Sequence, residues 1–346
     1  ELELIEEVAP TIKQSLSRHL FCLQQQFLPL LFAKENDLVA VTAFPKEKEL
    51  EHIKKVLKTT NLPRLVLLQS QEPWPTFSCL SWGPSLQVAK WAKEHQLTYF
   101  FPKNKELVRF INSKAFEVDN GPLKKELIYD LLHLKKWFNE ESFPKVLKSC
   151  FGLSGMGHLI IRNQQTYEKA VAFCTHQWSL GLPVVAEPWL CRLLDFSTQW
   201  NLSKQGKSSF IGATVFKTKN NGGYLGTWVG KEEEQFGFYL PFLSLHLEKA
   251  EQLFFHLKKM GYFGPIGLDA LVYQCSQENR PKLYPIVEIN GRQTLSLVAL
   301  KMQQRFFPDK KLLLSLKKTA DCKQTLLPCS LEKFTFKYNL DLTFLD

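Results

Sequence analysis

Several of the features that most readily identify a protein are missing from these 346 residues. No stretch approaches the roughly 18 consecutive apolar residues that span a bilayer. The apolar run Phe27–Ala33 is short, follows Gln24–Gln26, and reads as a buried helix. No pair among Cys22, Cys79, Cys150, Cys174, Cys191, Cys275, Cys322 and Cys329 forms Cys-x-x-Cys. Zinc and a disulfide scaffold are therefore not indicated, and reduced buried thiols in a cytoplasmic protein fit the spacing. No histidine stands where it would mark Cys150 as half of a thiolate pair. No Gly-x-Gly-x-x-Gly follows the first strand-like segment, and no Gly-Lys-Ser/Thr closes a phosphate loop, so neither common nucleotide fingerprint is present. There is no internal repeat and no low-complexity segment. The chain begins at Glu1 without methionine or a signal-like segment, which leaves a trimmed or processed start open.

What is present is ordinary for a soluble globular chain: 45% hydrophobic and 23% charged residues, with length enough for two or three domains. The net charge of +10 allows nucleic acid, an anionic membrane or an anionic small substrate as partner. The lysines, however, are scattered as pairs such as Lys54–Lys55, Lys124–Lys125 and Lys258–Lys259, in helix-like segments where solvated faces are the default. No basic run is interleaved with aromatics as a single-strand groove requires. A basic nucleic-acid-binding module remains only as an alternative reading.

Residues 1–35 are mostly helix-like, with Leu16, Leu20, Leu23 and Phe27 near helical spacing. Strands over Leu38–Phe44, Arg64–Leu68 and Thr98–Phe101 alternate with helices over Glu47–Lys58, Ser85–His95 and Lys105–Asn112. That alternation predicts a small α/β layer with a parallel sheet. A helix is expected from about Leu123 to Phe138. Beyond it, Lys148 leads into a glycine-rich stretch with Gly152, Ser154, Gly155 and Gly157 between two short strands. Glycines there would let backbone amides approach phosphate; a flexible hairpin is the plainer account. Val184–Leu190 reads as a buried strand running into Glu187 and Pro188. Phe242–Met260 has one apolar face and reads as a long helix ended by Gly261. Thr294–Gln304 and Lys310–Lys318 also read as helices.

The chain is organised around Gly264–Arg292. Ile266–Tyr273 and Leu283–Ile289 are apolar runs separated by a turn containing Asn279 and Pro281, which predicts a β-hairpin. Glu288, Asn290 and Arg292 share a face if the strand continues that far, and Asp269 lies on the opposing strand. Two carboxylates across a hairpin repel in apolar surroundings. Either one points to solvent or a cation lies between them, and an Asp, Glu and Asn set of oxygen ligands suits Mg²⁺ bound with phosphates.

In order along the chain stand Lys114, Lys148 with its glycine-rich segment, a strand ending Glu187–Pro188, Gly-Tyr-x-Gly-x-x-Gly-x-Asp (Gly261–Asp269) and Glu-x-Asn-x-Arg (Glu288–Arg292). This order resembles the ATP-grasp superfamily over about residues 110–300. The resemblance implies an α/β and α+β fold: an ATP-grasp unit preceded by a small Rossmann-like α/β domain. The implied division is 1–112 for the preceding domain, 113–190 for the lid with its glycine-rich loop, and 191–346 for the unit with the metal site. It further implies that Lys114 and Lys148 hold nucleotide phosphates under the loop Gly152–His158, and that Glu187, Pro188, Trp189 and Leu190 border adenine. Asp269, Glu288 and Asn290 would hold magnesium, and Arg292 would steady an acyl phosphate. The implied activity is an ATP-dependent ligase joining a carboxylate to an amine through an acyl phosphate, with ATP and Mg²⁺ required. Its substrates would be small, an amino acid or peptide for example. An ATP-binding regulatory protein of the same fold without turnover is the alternative. A cytoplasmic location follows, with no membrane partner and a homo-oligomer left open. Arg162, Arg192 and Arg280 remain candidates for a second substrate arginine by exclusion.

Overall fold

The structure, a computed structural model, describes residues 23–70, 77–117, 125–152, 157–332 and 334–345. Leu16, Leu20, Cys22, Ser154 and Gly155 lie outside the described residues. The buried helix expected in the apolar run after Gln24 is present as a 3-10 helix, Gln25–Leu31, in which Pro29 removes one backbone donor. Phe27, Leu28, Leu30 and Leu31 are nevertheless all buried, as the run predicts.

The first α/β layer follows. β1 (Leu38–Val41), α1 (Glu47–Leu57) and β2 (Arg64–Leu67) form a parallel pair around a helix. β3 (Ser78–Cys79), α2 (Leu86–Glu94) and β4 (Thr98–Tyr99) repeat that arrangement, and α3 (Lys105–Ile111) comes next. Ser85 and Asn104 cap α2 and α3 by accepting from the Val88 and Leu107 amides. The two parallel pairs are separate sheets, because β3 and β4 are too short to extend the first.

The middle of the chain builds an antiparallel sheet in the order β5–β8–β6–β7 from β5 (Glu126–Ile128), α4 (Leu131–Glu140), β6 (Lys145–Ser149), β7 (His158–Ile161), α5 (Tyr167–Ser179) and β8 (Val184–Pro188). Leu134, Trp137, Phe138, Ala170 and Cys174 of the two helices bury Ile128, Leu147, Ile161 and Ala186. The expected helix begins at Leu123, which with Lys124 lies outside the described residues; among the described ones it starts at Leu131, where Asp130 accepts from the His133 amide as its N-cap. The residues before it pair as β5 instead.

The rest forms a seven-stranded antiparallel sheet: β9 (Cys191–Leu202), β10 (Ser208–Thr218), β11 (Tyr224–Val229), α6 (Glu232–Phe236), α7 (Leu240–Lys259), β12 (Gly264–Cys275), β13 (Arg280–Asn290), α8 (Leu295–Phe306), β14 (Lys311–Lys318), β15 (Ser330–Leu331), β16 (Phe334–Thr335) and β17 (Tyr338–Leu345). β15 and β16 pair with each other, and the large sheet runs β13–β12–β9–β10–β11–β14–β17. Lys310–Lys318, expected as a helix, is strand β14. Leu312 and Leu314 are fully buried two residues apart, the period of a strand, and β11 and β17 supply partners on both sides. α7 covers one face with Ala250, Leu253, Phe254 and Leu257 against Trp200, Ile266 and Leu268. A further core joins the two ends of the chain: Phe27, Leu31, Val39, Val41 and Leu57 pack with Val298, Leu312, Leu314, Leu326 and Leu342.

Candidate functional site

β12 and β13 are antiparallel in a register that sets Asp269 directly opposite Glu288 and Gly267 opposite Asn290. Both carboxylates are partly buried and line the same cavity. Burial, and then the facing Glu288 charge, push the Asp269 carboxyl up to about 7. Ser197 Oγ donates to Asp269 Oδ1 at 2.7 Å and Asn290 Nδ2 donates to Oδ2 at 3.3 Å, which partly offsets that rise. Burial opposes ionisation of Glu288 too. Lys114 Nζ, 2.8 Å from its Oε1, and the nearby Arg292 outweigh that and hold it below the usual carboxylate range. The glycines of Gly261–Asp269 contribute differently. Gly261 and Gly264 take positive φ (86° and 116°), a region costly for other residues, whereas Gly267 leaves room for buried side chains.

The second lysine, Lys148, stands on β6. Its ammonium pairs with Glu187 on β8, opposite which Lys125 lies 3.5 Å away. Lys125, read from sequence as part of a solvated pair, is buried. Burial works against the Glu187 charge, but Lys148 and Lys125 prevail and hold its carboxyl below the usual range. Ser149 and Gly157 close the base of the glycine-rich loop. The Ser149 amide donates to Gly157 O at 2.8 Å, and the Ser149 hydroxyl lies 3.0 Å from the same oxygen. Gly157 has φ 86°, and a Cβ there would strike Ser149 Oγ.

These elements enclose a cavity of about 250 Å³. Lys114, Lys148, Arg192 and Arg292 line it together with Asp195, Asp269 and Glu288, and with Asn290, Gly152 and Gly157. Of the four residues expected to border adenine, Trp189 lines the cavity; Glu187 and Pro188 belong to β8 and are not in its lining, Glu187 being buried, and Leu190 packs on Leu271, Tyr273 and Tyr284. Trp189 stacks against His158, ring centroids 6.1 Å apart, and carries the Arg192 guanidinium on its face at 5.5 Å. His158 Nε2 lies 2.7 Å from Asn221 O, which joins β7 to the β10–β11 turn. β13 ends at Asn290, and Arg292 reaches the cavity by a turn whose amide donates to Asn290 O at 2.8 Å. From the first layer, Trp82 reaches the same cavity; its carbonyl accepts from the Gln293 amide at 2.7 Å.

Lys114, Lys148, Gly152, Gly157, Trp189, Asp269, Glu288, Asn290 and Arg292 thus meet in one space. Among the arginines considered by exclusion, Arg192 lines it but is committed to Asp195 (Nε–Oδ2 3.0 Å). Arg280 pairs with Glu278 at the hairpin tip and Arg162 is exposed. Sequence reasoning missed Trp82, Lys125, Ser197 and Asp195. A signal was available for Ser197: Ser197, Thr198 and Gln199 are three successive polar residues in a strand otherwise apolar at its centre, and all three are buried.

Asp269, Glu288 and Asn290 offer only oxygen ligands, the chemistry of Mg²⁺. Asp269 and Glu288 face each other across the hairpin, and burial followed by the Glu288 charge raises the Asp269 carboxyl, a cost that a divalent cation between them would relieve. The residues therefore fit the metal.

No sequence-family model and no curated protein sequence matches the chain. Solved structures do. Phosphoribosylamine–glycine ligase of Thermotoga maritima superposes with TM-score 0.56 at 15% identity, over 93% of this chain and 90% of that one. N5-carboxyaminoimidazole synthetase of Staphylococcus aureus, complexed with ADP, gives 0.52 at 12% over 88% and 92%. Against the biotin carboxylase domain of Hydrogenobacter thermophilus 2-oxoglutarate carboxylase the TM-score is 0.47 at 15% identity. The match covers 67% of this chain, which spans just over half (56%) of that one. The likeness is one of fold: the chain has the ATP-grasp fold. No helix among the described residues is long and apolar enough to cross a membrane.

Proposed function

We propose that the chain is an ATP-dependent carboxylate–amine ligase. The observation that carries this reading is the in-register pair Asp269–Glu288 with Asn290, in one cavity with Lys114, Lys148 and Arg292, on the ATP-grasp fold. Phosphoryl transfer asks the protein for positioning and charge neutralisation rather than a covalent group. Lys114 and Lys148 would hold the triphosphate. Both already pair with carboxylates, so phosphate oxygens must compete with Glu288 and Glu187 for them. Trp189 and Phe216 contribute aromatic side chains to the cavity lining, a composition suited to a purine. Magnesium held by Asp269, Glu288 and Asn290 would neutralise charge on the transferring phosphoryl group.

In the reaction a substrate carboxylate oxygen takes the γ-phosphoryl group and ADP leaves. The amine nitrogen then attacks the acyl carbon, loses a proton, and expels phosphate. Arg292 would steady charge on the acyl phosphate, and the segment Gly152–His158 would shield it from water. The Thermotoga enzyme of the same fold is by name a ligase of an amine and glycine, and the Staphylococcus enzyme is seen with ADP. We assign residues 1–112 to a preceding domain, 113–190 to the lid and 191–346 to the metal-bearing unit. The seven described cysteines are free thiols, which supports a cytoplasmic setting.

The test is Mg²⁺-dependent release of ADP and phosphate from ATP with pooled amino acids and dipeptides. Release that needs a pool member supports the ligase, and dividing the pool identifies the acid and amine. Failure both to release phosphate and to bind ATP in a thermal-shift assay overturns the reading.

A further inference from the structure

Behind the facing carboxylates a chain of hydrogen bonds runs from the cap of α8 to Asp269. The Leu297 amide can only donate, and it donates to Thr294 Oγ1 at 3.1 Å. The Thr294 hydroxyl in turn donates to Gln199 Oε1, 2.7 Å away. Gln199 Nε2 donates to Ser197 Oγ at 2.7 Å, and the Ser197 hydroxyl donates to Asp269 Oδ1 at 2.7 Å. Once ionised, as a metal ligand is, the Asp269 carboxylate only accepts, and that sets the orientation of the Gln199 amide through Ser197. Ser197 and Gln199 are 0% and 1% exposed, so water offers them no substitute partner. The space for this chain is built by Gly267. A Cβ there would lie 2.8 Å from Thr294 Cγ2 and 3.0 Å from Gln199 Oε1.

We propose that Gln199 is a positioning residue for metal binding: through Ser197 it locks the rotation of the Asp269 carboxylate, and through Thr294 it ties that carboxylate to the cap of α8 beside Arg292. This rests on the nucleotide-and-metal reading above. Asp269 Oδ1 is engaged by Ser197 and Oδ2 by Asn290, so the carboxylate plane is defined from two sides. With the Gln199 amide gone, Ser197 loses the donor that orients it and can turn its own proton elsewhere. Outer partners of a metal ligand of this kind change metal affinity by about 10–100-fold.

The test uses Mn²⁺ as probe, titrated by electron paramagnetic resonance in the presence of ADP, on the full chain. Gln199→Met, close in shape but without the amide, is expected to weaken Mn²⁺ binding by about 10–100-fold, with ADP binding in EDTA unchanged. Thr294→Ser retains the hydroxyl and is expected to retain native Mn²⁺ affinity. Ser197→Ala added to Gln199→Met is expected to cost little more, because the chain is already cut. Should Gln199→Met not fold, Ser197→Ala alone carries the same expectation. Native-like Mn²⁺ affinity in a folded Gln199→Met or Ser197→Ala variant overturns the role of the chain while leaving the nucleotide site intact. A native protein that binds neither Mn²⁺ nor ADP overturns both.

Discussion

At the scale of single residues, the site depends on charges kept apart from water and balanced locally. Asp269 is the clearest case: remove its carboxylate and Glu288 is left with Lys114 but without its facing partner. Asp269→Ala is expected to abolish ATP-dependent phosphate release, by roughly 10²-fold or more, while the protein remains folded; a phosphate-release assay beside a circular-dichroism spectrum checks this. Unchanged turnover would remove Asp269 from the metal site. Glu187 carries a different expectation, because it is buried between Lys148 and Lys125. Glu187→Gln takes this counter-charge from the buried Lys125 and the partly buried Lys148, and a destabilisation of about 3 kcal/mol is expected in urea unfolding. Sequence reasoning located Asp269, Glu288 and Asn290 because a strand's period of two is a local property. Ser197 and Lys125 escaped it, since each is defined by a partner more than 60 residues away. Nothing local shows which strand will become the neighbour.

At the scale of elements, the hairpin Gly264–Asn290, helix α7 and the alternation of β1, α1 and β2 were legible because each repeats a clear hydrophobic period. β5 and β14 were not. Three residues, Glu126–Ile128, are too few to show a period, and the leucine run of β14 satisfies strand and helix alike until its neighbours decide. The loop between β6 and β7 was legible as glycine-rich, yet the reason for its last glycine was not. Gly157 is left-handed and its α-carbon faces Ser149 Oγ. Gly157→Ala is expected to cost about 1–2 kcal/mol for the backbone conformation, with more for the displaced Ser149. The KM for ATP is expected to rise more than kcat falls, because the loop base rather than the chemistry is disturbed. Steady-state kinetics at varied ATP checks the split.

At the scale of the whole molecule, one buried histidine links stability to acidity. His246 on α7 lies 2.7 Å from Pro285 O through Nδ1 and 2.6 Å from Thr198 Oγ1 through Nε2. The carbonyl can only accept, so Nδ1 carries the proton and neutral Nε2 accepts from Thr198. Burial pushes its pKa down from 6.5 to about 4, against the opposing effect of the Pro285 bond. The unfolded chain then binds the proton more readily than the folded one. The stability His246 confers is complete above pH 6.5, declines as pH falls toward about 4, and is lost below that. The span corresponds to about 3 kcal/mol. Urea unfolding across that range should show the decline, and His246→Gln should flatten it.

The core that joins the two ends of the chain has a consequence for how the protein is made. Phe27, Leu28 and Leu31 are synthesised long before Leu312, Leu314, Leu326 and Leu342, against which they pack. Until those later residues emerge, a nascent chain carries that greasy segment without these partners to cover it. That interval makes the earlier segment a natural client for a holding chaperone.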